Sequence, residues 1–390
     1  MEHHAEVLRG GVWHQRIPSW RDLVAVLLVL GTVILLGTGA RQMLAPFVIA
    51  HQPEISLSPA ALPFYTLRTV MRMLVALILS LIFTFTYATL AGKNRRAEMV
   101  LIPLLDVLQS VPILGYLSFT VVFFISLFPG NALGPELAAI FAIFTSQAWN
   151  MAFSFYQALR TVPRDLDEAS RSFRSSAWQR FWRLEVPFAM PGLVWNMMMS
   201  MSGGWFFVVA SEAISVGDIQ IALPGVGSYV ARAIQQRDLA AVGWAIVAMT
   251  IAIIIYDQLL FRPMVAWADK FRFEQTAAQV VPRSVVLEVF RGSRLLRRLS
   301  MSVGMGLHKA ARARLALPSG SHWATRWSPP RRIVDFAWYG LLAAALAYIG
   351  WELGRYARST LSWGDFTIAA GNGALTLLRV AVLISLASAI

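Results

Sequence analysis

The chain has 390 residues, of which 57% are apolar and 14% charged, with 14 tryptophans and a formal net charge of +13. Soluble domains average about a quarter charged residues, so this composition belongs to a chain that lives in a lipid bilayer. The positive charge does not point to nucleic acid, because the arginines cluster in short segments between apolar runs, and the absence of cysteine excludes disulfides, thiolate metal sites and cysteine nucleophiles.

A membrane span takes about 20 apolar residues. Residues 1–62 read as a basic tail (Arg9, Arg16, Arg21), a first span at 23–44 and an outer loop. The apolar run extends through Ala40 and no A-x-A cleavage site follows, so a retained helix with its N-terminus inside is expected rather than a signal peptide. The core block, 63–265, holds five further spans at 64–91, 99–128, 136–156, 188–210 and 239–261. The third is interrupted by Pro103 and Pro112 and is expected to be kinked or broken. With the N-terminus inside, the Lys93-Asn94-Arg95-Arg96 cluster, the 163–187 insert and the segment after Arg262 share one basic side. The loops 45–63, 129–135 and 211–238 fall on the other side with fewer basic residues, Arg232 and Arg237 excepted.

Residues 266–332 form a polar linker rich in arginine, including Arg291, Arg294, Arg297, Arg298, Arg312 and Arg314, suited to resting on anionic headgroups. The span pattern then restarts in 333–390. A span at 333–351 is followed by Thr376-Leu377-Leu378-Arg379-Val380-Ala381-Val382, which echoes Thr69-Val70-Met71-Arg72-Met73-Leu74-Val75 and suggests an internal repeat. This second block stops at Ile390 inside its own second helix, so either a truncated form of a longer two-block protein or an unpaired last helix is expected.

The segment 163–187 is charged and amphipathic between two apolar spans. On one helix, Leu166, Ala169, Ser170, Phe173, Ala177, Phe181 and Leu184 fall within about 120°, a stripe suited to packing on span ends, which Arg180 interrupts. Glu168, Arg171, Ser175, Gln179 and the rings of Trp178 and Trp182 fall on the other side. Pro163 suits a first helical turn, and Pro187 is expected to end the element. Pattern alone leaves open an interfacial helix lying on the bilayer.

Within the membrane, Asp106 is costly and faces either a cavity or a structural hydrogen bond. With Gln109 and Ser110 it is a candidate for the translocation pathway, as are Gln147 and Asn150. Gln147, Asn150 and Asn196 are better suited to hydrogen bonds that hold helices together. Arg72 is expected to snorkel outward, and its echo Arg379 favours a structural role repeated in each block. Glu212 and Asp218 read as solvated loop acids or as part of a surface that receives a soluble partner. No G-x-x-x-x-G-K-[ST] phosphate cradle and no H-E-x-x-H metal spacing occurs, so no catalytic or metal-binding residue is assigned.

Glu168-Ala169-Ser170, with Phe181, Leu184 and Val186 before Pro187, resembles the EAA loop of binding-protein-dependent ABC importer permeases. Leu104-Leu105-Asp106, Gln109-Ser110-Val111-Pro112 and Leu223-Pro224-Gly225-Val226-Gly227 look like the nitrate/sulfonate/bicarbonate (taurine-type) branch, the resemblance covering roughly 60–270. It implies an all-α polytopic fold, a six-helix MetI-like block followed by a partial second one, in the bacterial inner membrane. It implies no bound cofactor in this chain, ATP and Mg being held by a cytoplasmic ATPase dimer, with a periplasmic solute-binding protein and a second permease half as partners. Glu168 would be the polar contact to the ATPase, with Asp165, Asp167 and Arg171 near it, Phe173 and Ala177 setting the packing, and Pro187 closing the element. Two positions depart from the pattern: Ser170 stands for the second alanine and Arg174 for the glycine. Arg174 implies either one continuous helix or a turn made without glycine. A gradient-driven transporter or channel, favoured by Asp106, and a non-transporting scaffold are the competing readings.

Overall fold

The computed structural model describes residues 54–216, 219–271, 331–360 and 362–389, with scattered residues between 23 and 41 and between 288 and 313. The expected first span at 23–44, the linker at 266–332 and Asp218 therefore lie largely or wholly outside the described residues. The chain divides into two compact units, Met1–Leu315 and Ala316–Ile390.

In the first unit, helix α1 (Leu62–Lys93) starts with a proline in its first turn, where no N–H donor is needed. Asn94 ends it and caps α2 (Arg95–Ser110), its side chain accepting from the backbone N–H groups of Arg96 and Ala97. Helix α3 (Ile113–Leu127) follows. The expected third span is thus two helices. Val111 is forced into extended backbone by Pro112, whereas Pro103 is carried inside α2 without ending it.

Helix α4 (Leu133–Arg160) is the centre of the bundle and packs against α1, α3 and α7 (Val186–Glu212). Its buried face is rich in Ala138, Ala139, Ala142, Ala148 and Ala152, small side chains that let neighbouring helices approach closely. Met73, Met151, Phe155, Leu193, Met197 and Met201 fill the space between α1, α4 and α7. The outer faces carry exposed Ile78, Ile82, Phe119, Trp195, Phe206 and Ile254, which only a hydrocarbon surrounding satisfies.

Between α4 and α7 lie α5 (Arg164–Ser172), the four-residue α6 (Ala177–Arg180) and a π-turn at Phe181–Glu185. Pro187 does not end this element, contrary to the sequence expectation. It sits in the first turn of α7, and the wider π-turn just before it absorbs the missing N–H, so the helix runs on from Ala177 to Glu212. The stretch 211–238, a loop by sequence, holds an antiparallel hairpin and a helix. Strands β1 (Ala213–Val216) and β2 (Ile219–Ala222) pair with Ala213 opposite Ala222, and α8 (Val226–Gln235) follows. Helix α9 (Leu239–Tyr256), a π-turn at Asp257–Phe261 and α10 (Arg262–Ala268) follow.

Among the described residues the second unit holds α11 (Arg331–Thr360) and α12 (Trp363–Ala389), the latter started by reciprocal Ser362–Asp365 hydrogen bonds. Among the described residues five helical stretches are long and apolar enough to cross a membrane: Pro59–Lys93, Leu133–Arg160, Ala177–Glu212, Leu239–Phe271 and Trp363–Ser388. The chain is a helical multi-pass membrane protein.

Candidate functional site

The 163–187 segment is two helices joined by a sharp turn. Pro163 stands one residue before α5, and Asp167 N–H donates to its carbonyl. The helix ends as Ser175 N–H donates to the Ser170 carbonyl (3.2 Å) and Arg174 N–H to the Arg171 carbonyl (2.8 Å). Arg174 itself takes φ +49. These are the two bonds of a Schellman motif, with arginine at the left-handed position that glycine favours. Ser176 then opens α6 with a reciprocal capping box to Gln179. Of the two readings that Arg174 allows, the structure adopts the turn made without glycine.

That turn splits the stripe expected of one helix. Leu166, Phe181 and Leu184 face the bundle to varying depth, but Ala169, Phe173 and Ala177 are exposed, Phe173 at 81%. Trp178 and Trp182 are half-buried rather than outward, and Trp182 stacks edge-on against Phe181 and Phe85. The free surface of the segment therefore carries Asp165, Glu168, Ala169, Arg171, Phe173, Arg174 and Ala177. Glu168 forms no ion pair among the described residues. Ser170 turns inward enough to donate its hydroxyl to the Asp167 carbonyl.

Asp167 is not on that free surface. It pairs with Arg171 (2.8 Å) and across the turn with Arg180 (3.2 Å). Arg180 reaches Glu185 (3.4 Å), and Glu185, nearly buried in the π-turn, holds Lys93 at the end of α1 (2.7 Å). A chain of alternating charges thus ties α5 to α1 through α6. Arg180, the residue that interrupts the apolar stripe in sequence, is its central link. The sequence held a signal for this chain in the lone acid Glu185 between apolar residues, near a lysine ending the preceding long span.

At the opposite end of α1 the structure overturns two expectations. Arg72 does not snorkel: it is fully buried, with Nε and Nη2 on Glu136 (2.6 and 2.8 Å) and Nη1 on Glu212 (2.6 Å). Glu212 is no solvated loop acid. It is buried, and its carboxylate also accepts from Thr69 Oγ1 (2.7 Å) and Gly227 N–H (2.7 Å). Arg68 adds a second cation to Glu136 (2.6 Å). Two arginines one turn apart on α1 therefore meet the first-turn acid of α4 and the last acid of α7, a charge-balanced buried set whose hydrogen bonds are made internally except at Arg68 Nε.

The Leu223-Pro224-Gly225-Val226-Gly227 motif closes over this set. The Pro224 carbonyl accepts from Arg72 and the Leu223 N–H donates to the Glu212 carbonyl. A Cβ at Gly225 would lie 2.3 Å from the Glu212 carboxylate, and one at Gly227 would lie 2.2 Å from the Val209 carbonyl oxygen. Both glycines are required by close approach.

A polar seam joins α4 to α7: Gln147 meets Met201, Asn150 donates to Ser200 (3.4 Å) and Asn196 to Ser154 (3.1 Å). Gln147 is fully buried, in keeping with the helix-joining role. Asp106, Gln109 and Ser110 lie together near the end of α2, exposed, with Gln109 donating to the Asp106 carboxylate and Ser110 to its carbonyl. The pathway candidates are thus divided between two places.

Residues 76–262 match the family model described as "Binding-protein-dependent transport system inner membrane component". The chain is 22% identical over 286 residues to the bicarbonate transport system permease protein CmpB of Synechococcus elongatus, covering 68% of this chain and 96% of that one. It is 29% identical over 191 residues to the glycine betaine/proline betaine transport system permease protein ProW of Escherichia coli, covering 49% of this chain and 50% of that one. A chain of the inward-facing MetNI methionine ABC transporter superposes with a TM-score of 0.41 at 18% identity, over 54% of this chain and 97% of that one.

Proposed function

We propose that this chain, a membrane permease subunit of an ABC importer, is driven by a partner ATPase dimer through the 163–187 segment, which acts as a lever. The observation that carries this reading is the segment's build. Its outward surface combines Glu168, Asp165 and Arg171 with the exposed Phe173 ring, while its inward side is fixed to the bundle by Phe181 and by the Asp167–Arg180–Glu185–Lys93 chain. From Ala177 the segment continues without a break into α7, so a push on α6 reaches a membrane helix directly, and one on α5 reaches it across the Arg174 turn. A rigid element with one anchored and one free side converts ATPase closure into helix motion.

Orientation follows from charge. Lys93, Arg95, Arg96, Arg160, Arg164 and Arg183 gather at the end of the bundle that carries the segment, which supports a cytoplasmic placement of that end. The hairpin and α8 would then face the periplasm and a solute-binding protein. The match to CmpB over nearly its full length supports a small anion such as bicarbonate, nitrate or a sulfonate as substrate. Betaine permeases match at higher identity, ProW over half of its own length and a glycine betaine/carnitine permease over 79% of its own, so a betaine is the second substrate class. The restart in 333–390 supports a two-block permease with a six-helix MetI-like first block.

Charge reversal at Glu168 tests the lever. Glu168→Lys is expected to leave membrane insertion and thermal stability unchanged and to lower ATPase co-purification and uptake by roughly tenfold or more, the scale of a reversed interfacial charge. Normal ATPase retention and normal uptake would contradict the assignment.

A further inference from the structure

Where α1, α2 and α4 meet, at the end of the bundle that carries the 163–187 segment, lies an open cleft of about 700 Å³. Three cations line it, Lys93, Arg95 and Arg160, against one carboxylate, Glu98. The carboxylate is already engaged: it accepts from the Tyr156 hydroxyl and holds Arg160 only loosely, at 3.8 Å. Lys93 is turned toward Glu185 and the Phe181 ring. Arg95 is exposed and forms no ion pair among the described residues. The cleft continues along α2 onto an apolar floor of Met99, Ile102 and Pro103, on the side where α1 passes into its apolar run. Excess cationic charge at a helix-end level, joined to an apolar strip that runs into the hydrocarbon, is complementary to an amphiphile with one anionic group and a chain.

We propose that this cleft binds the phosphodiester headgroup of an anionic membrane lipid, the phosphate between Arg95 and Arg160 and an acyl chain along Met99 and Ile102. A free phosphate shares the headgroup chemistry but makes no use of the apolar floor. Bound lipid acts on the segment through Lys93. The ammonium that anchors Glu185 also lines the cleft, so phosphate and carboxylate compete for it, and the anchoring of the lever responds to lipid charge. The binding step uses only the membrane placement of the chain; the effect on the lever rests on the function proposed above.

The test is native mass spectrometry of the full-length protein, released from mixed micelles containing equal phosphatidylglycerol and phosphatidylcholine. One phosphatidylglycerol is expected to be retained in preference. The double variant Arg95→Gln/Arg160→Gln is expected to lose roughly tenfold or more of that preference, each cation near a surface contributing on the order of a fivefold effect. Glu98→Gln, which removes the competing carboxylate, is expected to raise it, and Arg262→Gln, a basic residue outside the cleft, to leave it unchanged. Inorganic phosphate at millimolar concentration is included as a competitor. Equal retention of the two lipids by the wild type, or unchanged preference in the double variant, would overturn the proposal. Displacement of the lipid by inorganic phosphate would assign the cleft to a free anion instead. ATPase co-purification is followed separately, so a failed lever and an empty cleft give different results.

Discussion

Arg174 has the least comfortable backbone in the segment, since a left-handed conformation costs a non-glycine residue about 1–2 kcal/mol. The Schellman bonds around it hold the turn regardless. Arg174→Gly is therefore expected to stabilise the folded protein by about 1 kcal/mol, read as a raised thermal midpoint in detergent; a lowered midpoint would show that the guanidinium contributes more than its backbone costs. Arg72 sets the opposite balance, because removing it strands Glu136 and Glu212 in a buried site. Arg72→Leu is expected to cost about 3–5 kcal/mol, and adding Glu212→Leu to recover part of that loss. Additive losses in the two variants would refute the coupled set. The sequence shows that Arg72 lies inside an apolar run, and its Thr-x-x-Arg echo marks it as structural. It does not show the partners, because Glu136 and Glu212 are distant along the chain and each sits at a helix end, where an acid is ordinarily solvated.

At the scale of elements, most of the spans are legible because about 20 apolar residues have few other fates. The breaks are less so. Pro112 breaks the third span while Pro103 and Pro187 do not, since a proline's effect depends on whether its neighbours can accommodate the lost hydrogen bond, as the π-turn at Phe181–Glu185 does. The stripe over 163–187 is real only while the segment is a single helix, and Arg174 ends that. The ion-pair chain that anchors the segment is partly solvated, with the Lys93 side chain 32% exposed. A double-mutant cycle of Lys93→Gln and Glu185→Gln is thus expected to give a coupling of about 1 kcal/mol or less in stability. Its effect on transport is expected to be larger than that figure, because the proposed lever needs its inner side held. Equal, small effects on both would mean that Phe181 packing alone anchors the segment.

For the whole molecule, the two ends of the bundle have different characters. One is closed by a buried, neutral set of charges under a glycine-bearing turn; the other carries excess cations, an open cleft and a segment with one free side. That asymmetry fits the proposed lever, one end being held by buried charge and the other presenting a free surface. The Thr376-x-x-Arg379 echo in the second unit matches only Thr69 and Arg72 of the buried set, and Thr376 donates within its own helix to the Asn372 carbonyl, whereas Thr69 reaches across to Glu212. The measurement that tests the account most directly is solute flux into proteoliposomes holding this chain with its ATPase and binding protein. Uptake is predicted to require ATP, to be unaffected by dissipating ion gradients, and to fall in Glu168→Lys while the lipid-inserted complement of the permease stays constant. Gradient-driven uptake without ATP, through the wild type and Glu168→Lys alike, would contradict it.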